Sequence, residues 1–275
     1  MTAGQKAPPV EDASATDRRR EFALILAKIP KNAWRAVVHR EPEWQSMAAL
    51  LPAWGFGPFS ALMVAAGLND YFLKGKAEIV YWPRLRESLL ACAVPASPGE
   101  LLSRLLPFYE SERAAGRKLP TLKRFLASPL AERLWNATPQ ELAADISSIR
   151  RALAETLAQD ENDKQIVFAM KCLGLALLMA GEERFDSSSL PLPGDSRLRK
   201  LTRRLGFDAR AQRDMQKFWQ SILDELHRAQ PELSMIHLDS LLWQIAPLER
   251  ARWVEYFSDL GIAETGASLE GLLKN

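Results

Sequence analysis

Cysteine and histidine are scarce in this chain, and their scarcity removes whole classes of chemistry. The two cysteines, Cys92 and Cys172, cannot build a disulfide framework, so a protein of a reducing, intracellular compartment is expected. The three histidines, His39, His227 and His237, are scattered without zinc-ligand spacing, and no metal site is expected. A glycine-rich phosphate loop, a dinucleotide fingerprint and a nucleophile-elbow serine are all missing. So is an excess of one charge: 36 Lys and Arg face 34 Asp and Glu for a net +2, which neither demands nor forbids a nucleic-acid partner. Long apolar runs are absent too. The longest, Ile166 to Ala180, contains Lys171 and is shorter than the roughly 18 residues of a membrane span, so no membrane partner is expected. The N-terminal stretch 1–16 has no apolar centre and reads as a flexible tail, not a signal peptide.

What is present is helix after helix. Alternating β-branched runs are nearly missing, apart from Glu78 to Tyr81. Ser97-Pro98-Gly99-Glu100 and Thr138-Pro139-Gln140-Glu141 both read as capping boxes with proline in the first turn. They precede the apolar-periodic runs Leu101 to Leu106 and Leu142 to Leu157. Periodicity predicts further helices over 18–29, 43–53, 164–179, 196–205, 213–228, 237–245 and 248–260. The expected architecture is all-α, with residues 17–275 forming two helical lobes around a cleft.

Three segments carry candidate chemistry. The run DKQIVFAMKCLGLALLMA, Asp163 to Ala180, is apolar around nearly its whole circumference, with one cation, Lys171, in its middle. Desolvation disfavours the ammonium form, and a neutral lysine in a dry pocket is what Schiff-base chemistry needs. On periodicity alone an ordinary structural role for Lys171, snorkelling or pairing with a carboxylate, is favoured. The stiff turn PLPGDS places Asp195 where it caps a following helix or holds an ionised carboxylate in a cleft. That helix carries Arg197, Arg199 and Lys200, which could face phosphates. In HLDSLLW, Asp239 and Trp243 lie four residues apart and so share a helix face. A carboxylate beside an indole can read a purine edge, though packing and capping explain the pair equally well.

Taken together, IVFAMK, PLPGDSRLRKLT, HLDSLLW and the looser GLNDYFLKGKAEIVYW resemble the archaeal-type 8-oxoguanine DNA glycosylases. These are N-glycosylase/DNA lyases of the helix-hairpin-helix superfamily. The resemblance implies excision of 8-oxoguanine through a lysine Schiff base, then strand cleavage by β-elimination, without a cofactor. It implies Lys171 and Asp195 as the catalytic pair, and Gln45, Trp82, Asp239 and Trp243 as residues that bind the flipped base. Arg197, Arg199 and Lys200 are placed on the DNA backbone. The implied partner is double-stranded DNA carrying oxidised guanine, met by a cytoplasmic, nucleoid-associated monomer. Two departures stand out. Leu175 occupies a position where the family tends to carry an aromatic, and residues 93–119 look like an insertion. The alternatives are a monofunctional glycosylase for another modified base and a non-catalytic DNA-binding protein that keeps the fold.

Overall fold

The structure, a computed structural model, describes residues 13–90, 92–185, 190–194, 196–209 and 211–273. Among these residues every regular element is helical. The chain divides into two compact units: one within Met1–Ala33, Gly194–Pro231 and Leu242–Asn275, the other within Trp34–Pro193 and Glu232–Leu241.

In the first unit, the helices Ala13–Leu26, Ser196–Arg204 and Gln212–His227 meet through aromatic side chains. Phe22 meets Trp219 edge-on at 5.9 Å, and the Trp219 indole N–H donates to Thr202 Oγ1 at 3.0 Å. Burying an indole is costly unless its N–H is satisfied, so Thr202 fixes the orientation of the ring. Sequence periodicity starts the first helix at Arg18, but it begins at Ala13, within the stretch read as tail. Residues 1–12 lie outside the described part of the chain.

The second unit is built on the packing of Phe56–Leu68 against Lys164–Met179. Both helices are apolar on nearly all faces, the pattern of elements buried on every side. Gly67 permits their close approach: a Cβ there would lie 2.8 Å from Cys172 Sγ and 2.9 Å from the Ala169 Cα. Pro98–Glu110, Ala115–Leu126 and Pro129–Asn136 pack against Phe56–Leu68, and Ile146–Leu157 packs against Lys164–Met179.

Several local expectations change. The β-like Glu78 to Tyr81 is part of a π-helical turn, Ala77–Tyr81, that runs straight into the helix Trp82–Leu90. Two β-branched residues without a partner strand do not make a sheet, whereas the π turn lets Tyr81 bury its ring and donate to the Ala66 carbonyl at 2.9 Å. The predicted helix 43–53 is instead Pro42–Met47, a 3-10 turn Ala48–Leu50 and Leu51–Trp54. Leu142 to Leu157 breaks at Asp145 (φ −130°). Thr138 and Glu141 form the full reciprocal box. Ser97 caps Glu100, but the Glu100 carboxylate returns to the Ala96 N–H, one residue early.

Candidate active site around Lys171

Lys171 lies midway along Lys164–Met179, where Ile166 to Leu177 are almost continuously buried, and its side chain is 5% exposed. Its Nζ donates to Glu41 Oε1 at 3.0 Å and reaches Asp239 Oδ2 at 2.6 Å. The ammonium also stands 5.7 Å from the centre of the Phe168 ring. Three separate stretches of the second unit therefore converge on one cation. The lysine helix supplies Nζ, Met235–Ile245 supplies Asp239, and the residue before Pro42–Met47 supplies Glu41.

Glu41 occupies the N-cap position of its short helix yet makes no side-chain cap bond. Glutamate is not among the favoured N-cap residues, and its carboxylate is turned to Lys171. Glu43, one residue inside that helix, is also buried, and its Oε2 has no hydrogen-bond partner. Burial first, then the neighbouring Glu41, pushes the Glu43 carboxyl well above the usual carboxylate range. Asp70 accepts from the Trp82 indole N–H at 3.0 Å, and burial raises its pKa to about 6 despite that bond. The Lys171 surroundings are thus acidic and dry.

This overturns one expectation. A buried lysine was expected to lean towards the neutral amine, and burial is indeed the largest influence on Lys171. Asp239, Glu41 and Glu43 oppose it, and the pKa is held well above its ordinary value. The free protein stores Lys171 as an ammonium.

Lys171 and Asp239 border a small cavity of about 10 Å³, lined also by Leu190, Pro191, Pro193, Met235 and Ile236. That is room for about one water molecule. Gly174, one turn after the lysine, is where Ile236 presses in: a Cβ would stand 2.1 Å from its Cδ1. The same stretches frame a larger cavity of about 260 Å³ between Val38, His39, Trp44, Leu178 and His237, with the Arg35–Glu183 ion pair also lining it. His39 and Trp44 stack there at 4.3 Å.

The other sequence-derived residues fall as follows. Asp195 lies outside the described residues. Gln45 is exposed, and its amide donates to the His39 carbonyl. Trp82 is fully buried, edge-on to Tyr81 at 5.2 Å, so its ring faces are closed in this structure. Leu175 is fully buried as well. Trp243, half-buried, belongs to the first unit, one turn beyond Asp239 on the same helix. Arg197 and Lys200 are exposed on Ser196–Arg204. Arg199 is half-buried and donates to the Ala209 carbonyl at 2.8 Å, so a structural bond already engages that guanidinium. Glu41, Glu43 and Asp70 escaped the sequence reading. The one available signal was Glu-Pro-Glu at a helix start, an acid where Ser, Thr, Asp or Asn would cap.

No helix among the described residues is long and apolar enough to cross a membrane. Nor does any group of three or more His, Cys, Asp or Glu there form a metal site.

Comparison with known proteins places these features in a lineage. A family model described as AGOG, N-glycosylase/DNA lyase, matches residues 23–259. An N-glycosylase/DNA lyase of Methanopyrus kandleri is 30% identical over 203 residues, covering 73% of this chain and 78% of that protein. One from Thermococcus kodakarensis is 27% identical over 196 residues, covering 68% and 67%. Among solved structures, the 8-oxoguanine DNA glycosylase of Pyrobaculum aerophilum, crystallised with 8-oxoguanosine, superposes with a TM-score of 0.67 at 19% identity. That match covers 94% of this chain and 96% of that one, and it shares the fold.

Proposed function

The chain belongs to the AGOG family of N-glycosylase/DNA lyases, and on that premise we propose that it excises 8-oxoguanine from double-stranded DNA through a Schiff base on Lys171. As a member of that family it is a DNA repair enzyme, a DNA glycosylase and AP lyase. The observation that carries the finer reading is a buried lysine amine, held by two carboxylates at 3.0 Å or less, beside a small cavity. The relative from Pyrobaculum aerophilum, by its description an 8-oxoguanine DNA glycosylase complexed with 8-oxoguanosine, supports the choice of lesion.

The enzyme, acting as a monomer, grips the backbone with Arg197 and Lys200 and turns the damaged nucleotide out of the stack, at a cost of a few kcal/mol. A sugar cannot enter a cavity of about 10 Å³, so the Leu190 to Pro193 wall yields as DNA binds. Ionised Asp195 stabilises the positive charge that builds on the sugar as the base departs. The Lys171 amine forms the bond to C1′ as the bond to the base breaks, the electron pair leaving with the base. Ring opening gives the Schiff base, and loss of a proton from C2′ then expels the 3′ phosphate. Asp239 and Trp243 read the base edge and face, with Gln45 and Trp82 contributing once the pocket has opened. Only side chains are required.

A panel of duplexes carrying 8-oxoguanine, other modified purines or no lesion tests this reading. Base release and nicking should appear together and be strongest at 8-oxoguanine itself, with Asp195→Asn retaining DNA binding while excision falls. Base release without nicking would instead mark a monofunctional enzyme, and equal action on other purines would remove the lesion assignment.

A further inference from the structure

An ammonium cannot attack C1′, so a Lys171 stored as its protonated form needs a proton acceptor at the moment of reaction. The geometry points to Glu41 as that acceptor, with Glu43 beside it as a positioning residue. This rests on Lys171 being the nucleophile.

Among the described residues two carboxylates touch Nζ, and their places differ. Asp239 is 7% exposed and lines the cavity, so an incoming substrate meets it. Glu41 is 1% exposed and is not part of the cavity lining. It bonds Nζ at 3.0 Å from a helix start whose amides it leaves uncapped. Capping is the ordinary employment of a side chain at that position, and Glu41 forgoes it. Once substrate draws on Asp239, Glu41 is the remaining carboxylate contact of the amine among the described residues. Bulk water is a poor alternative in a space for about one molecule.

In the step itself an N–H bond of Lys171 breaks and an O–H bond forms at Glu41. The ammonium becomes an amine with a free electron pair, the carboxylate becomes a carboxylic acid, and no electrons are exchanged with any other group. A dry site favours this neutral pair over two separated charges. Among the described residues, the titratable groups facing the pair are Glu43 from its own element, Asp239 from Met235–Ile245, the Cys172 thiol from the lysine helix and, further off, Asp70 after Phe56–Leu68. Glu43, kept towards its neutral form, leaves Glu41 without a second full negative charge two residues away.

The test is single-turnover borohydride trapping on a duplex with a preformed abasic site, from pH 6 to 10, which isolates the amine from base excision. Glu41→Gln should trap about 100-fold more slowly at pH 7, the deficit narrowing towards pH 10 because the small fraction of amine that solvent deprotonates in the variant grows with every pH unit, even below the lysine pKa. Asp239→Asn should not show that convergence. Should Glu41→Gln fail to fold by circular dichroism, Glu41→Asp decides, with a profile displaced to higher pH. Trapping by either Glu41 variant that equals or exceeds wild type at pH 7 overturns the proposal. That is the outcome if Glu41 merely holds the ammonium, because losing a carboxylate lowers the lysine pKa. A loss that stays constant across the pH range overturns it as well. No wild-type adduct at all would defeat the Lys171 Schiff base itself, whereas a normal wild-type adduct with unaffected Glu41 variants defeats this inference alone.

Discussion

Burial and charge pull Lys171 in opposite directions, and charge prevails because three carboxyl groups surround one amine. A lone cation in an apolar helix is visible in the sequence, and so is the penalty for burying it. The partners are not, because Glu41 and Asp239 lie far away along the chain and only tertiary packing brings them to Nζ. Asp70 gives a residue-scale prediction of its own. Its folded pKa of about 6 lies above the ordinary aspartate value of 3.8, so the folded state binds the proton more tightly than the unfolded chain does. The sign follows: Asp70 costs nothing below about pH 4, and its penalty grows as pH rises to about 6. Asp70→Asn should therefore gain stability over wild type across that window in urea melts, by no more than about 3 kcal/mol for a partly exposed group. A difference independent of pH would contradict the assigned shift.

At the scale of elements, the second unit depends on how closely Lys164–Met179 can lie on Phe56–Leu68. Gly67 sets that distance, because a Cβ would meet backbone at Ala169 and the Cys172 sulfur. Gly67→Ala should cost about 1–3 kcal/mol and, by shifting the Cys172 turn, also slow the reaction of its neighbour Lys171. A stability and a trapping rate both equal to wild type would contradict the close-packed account. Helices with strong periodicity or caps were legible in sequence, including Lys164–Met179 within a residue and the Thr138 box. Phe56–Leu68 was not. It is apolar on all faces and enters from Gly55 at φ 72° without a side-chain cap, so neither periodicity nor capping marks it. The π turn at Ala77–Tyr81 was missed because two adjacent β-branched residues mimic a strand start.

For the whole molecule, the all-helical reading follows from composition and the absence of alternating runs, and the family follows from motifs spread along the chain. Each motif alone had a commonplace explanation: a core lysine, a capping aspartate, a packed tryptophan. Order along the chain made them specific, and the structure adds the acidic shell that turns Lys171 from a suspected neutral amine into a stored ammonium. The most direct test of the central claim is borohydride trapping of wild type and Lys171→Gln on an 8-oxoguanine duplex. A covalent protein–DNA adduct in wild type that vanishes in Lys171→Gln, while the variant still melts cooperatively, is the predicted result. An adduct that persists in Lys171→Gln, or none in wild type despite release of the base, would contradict it.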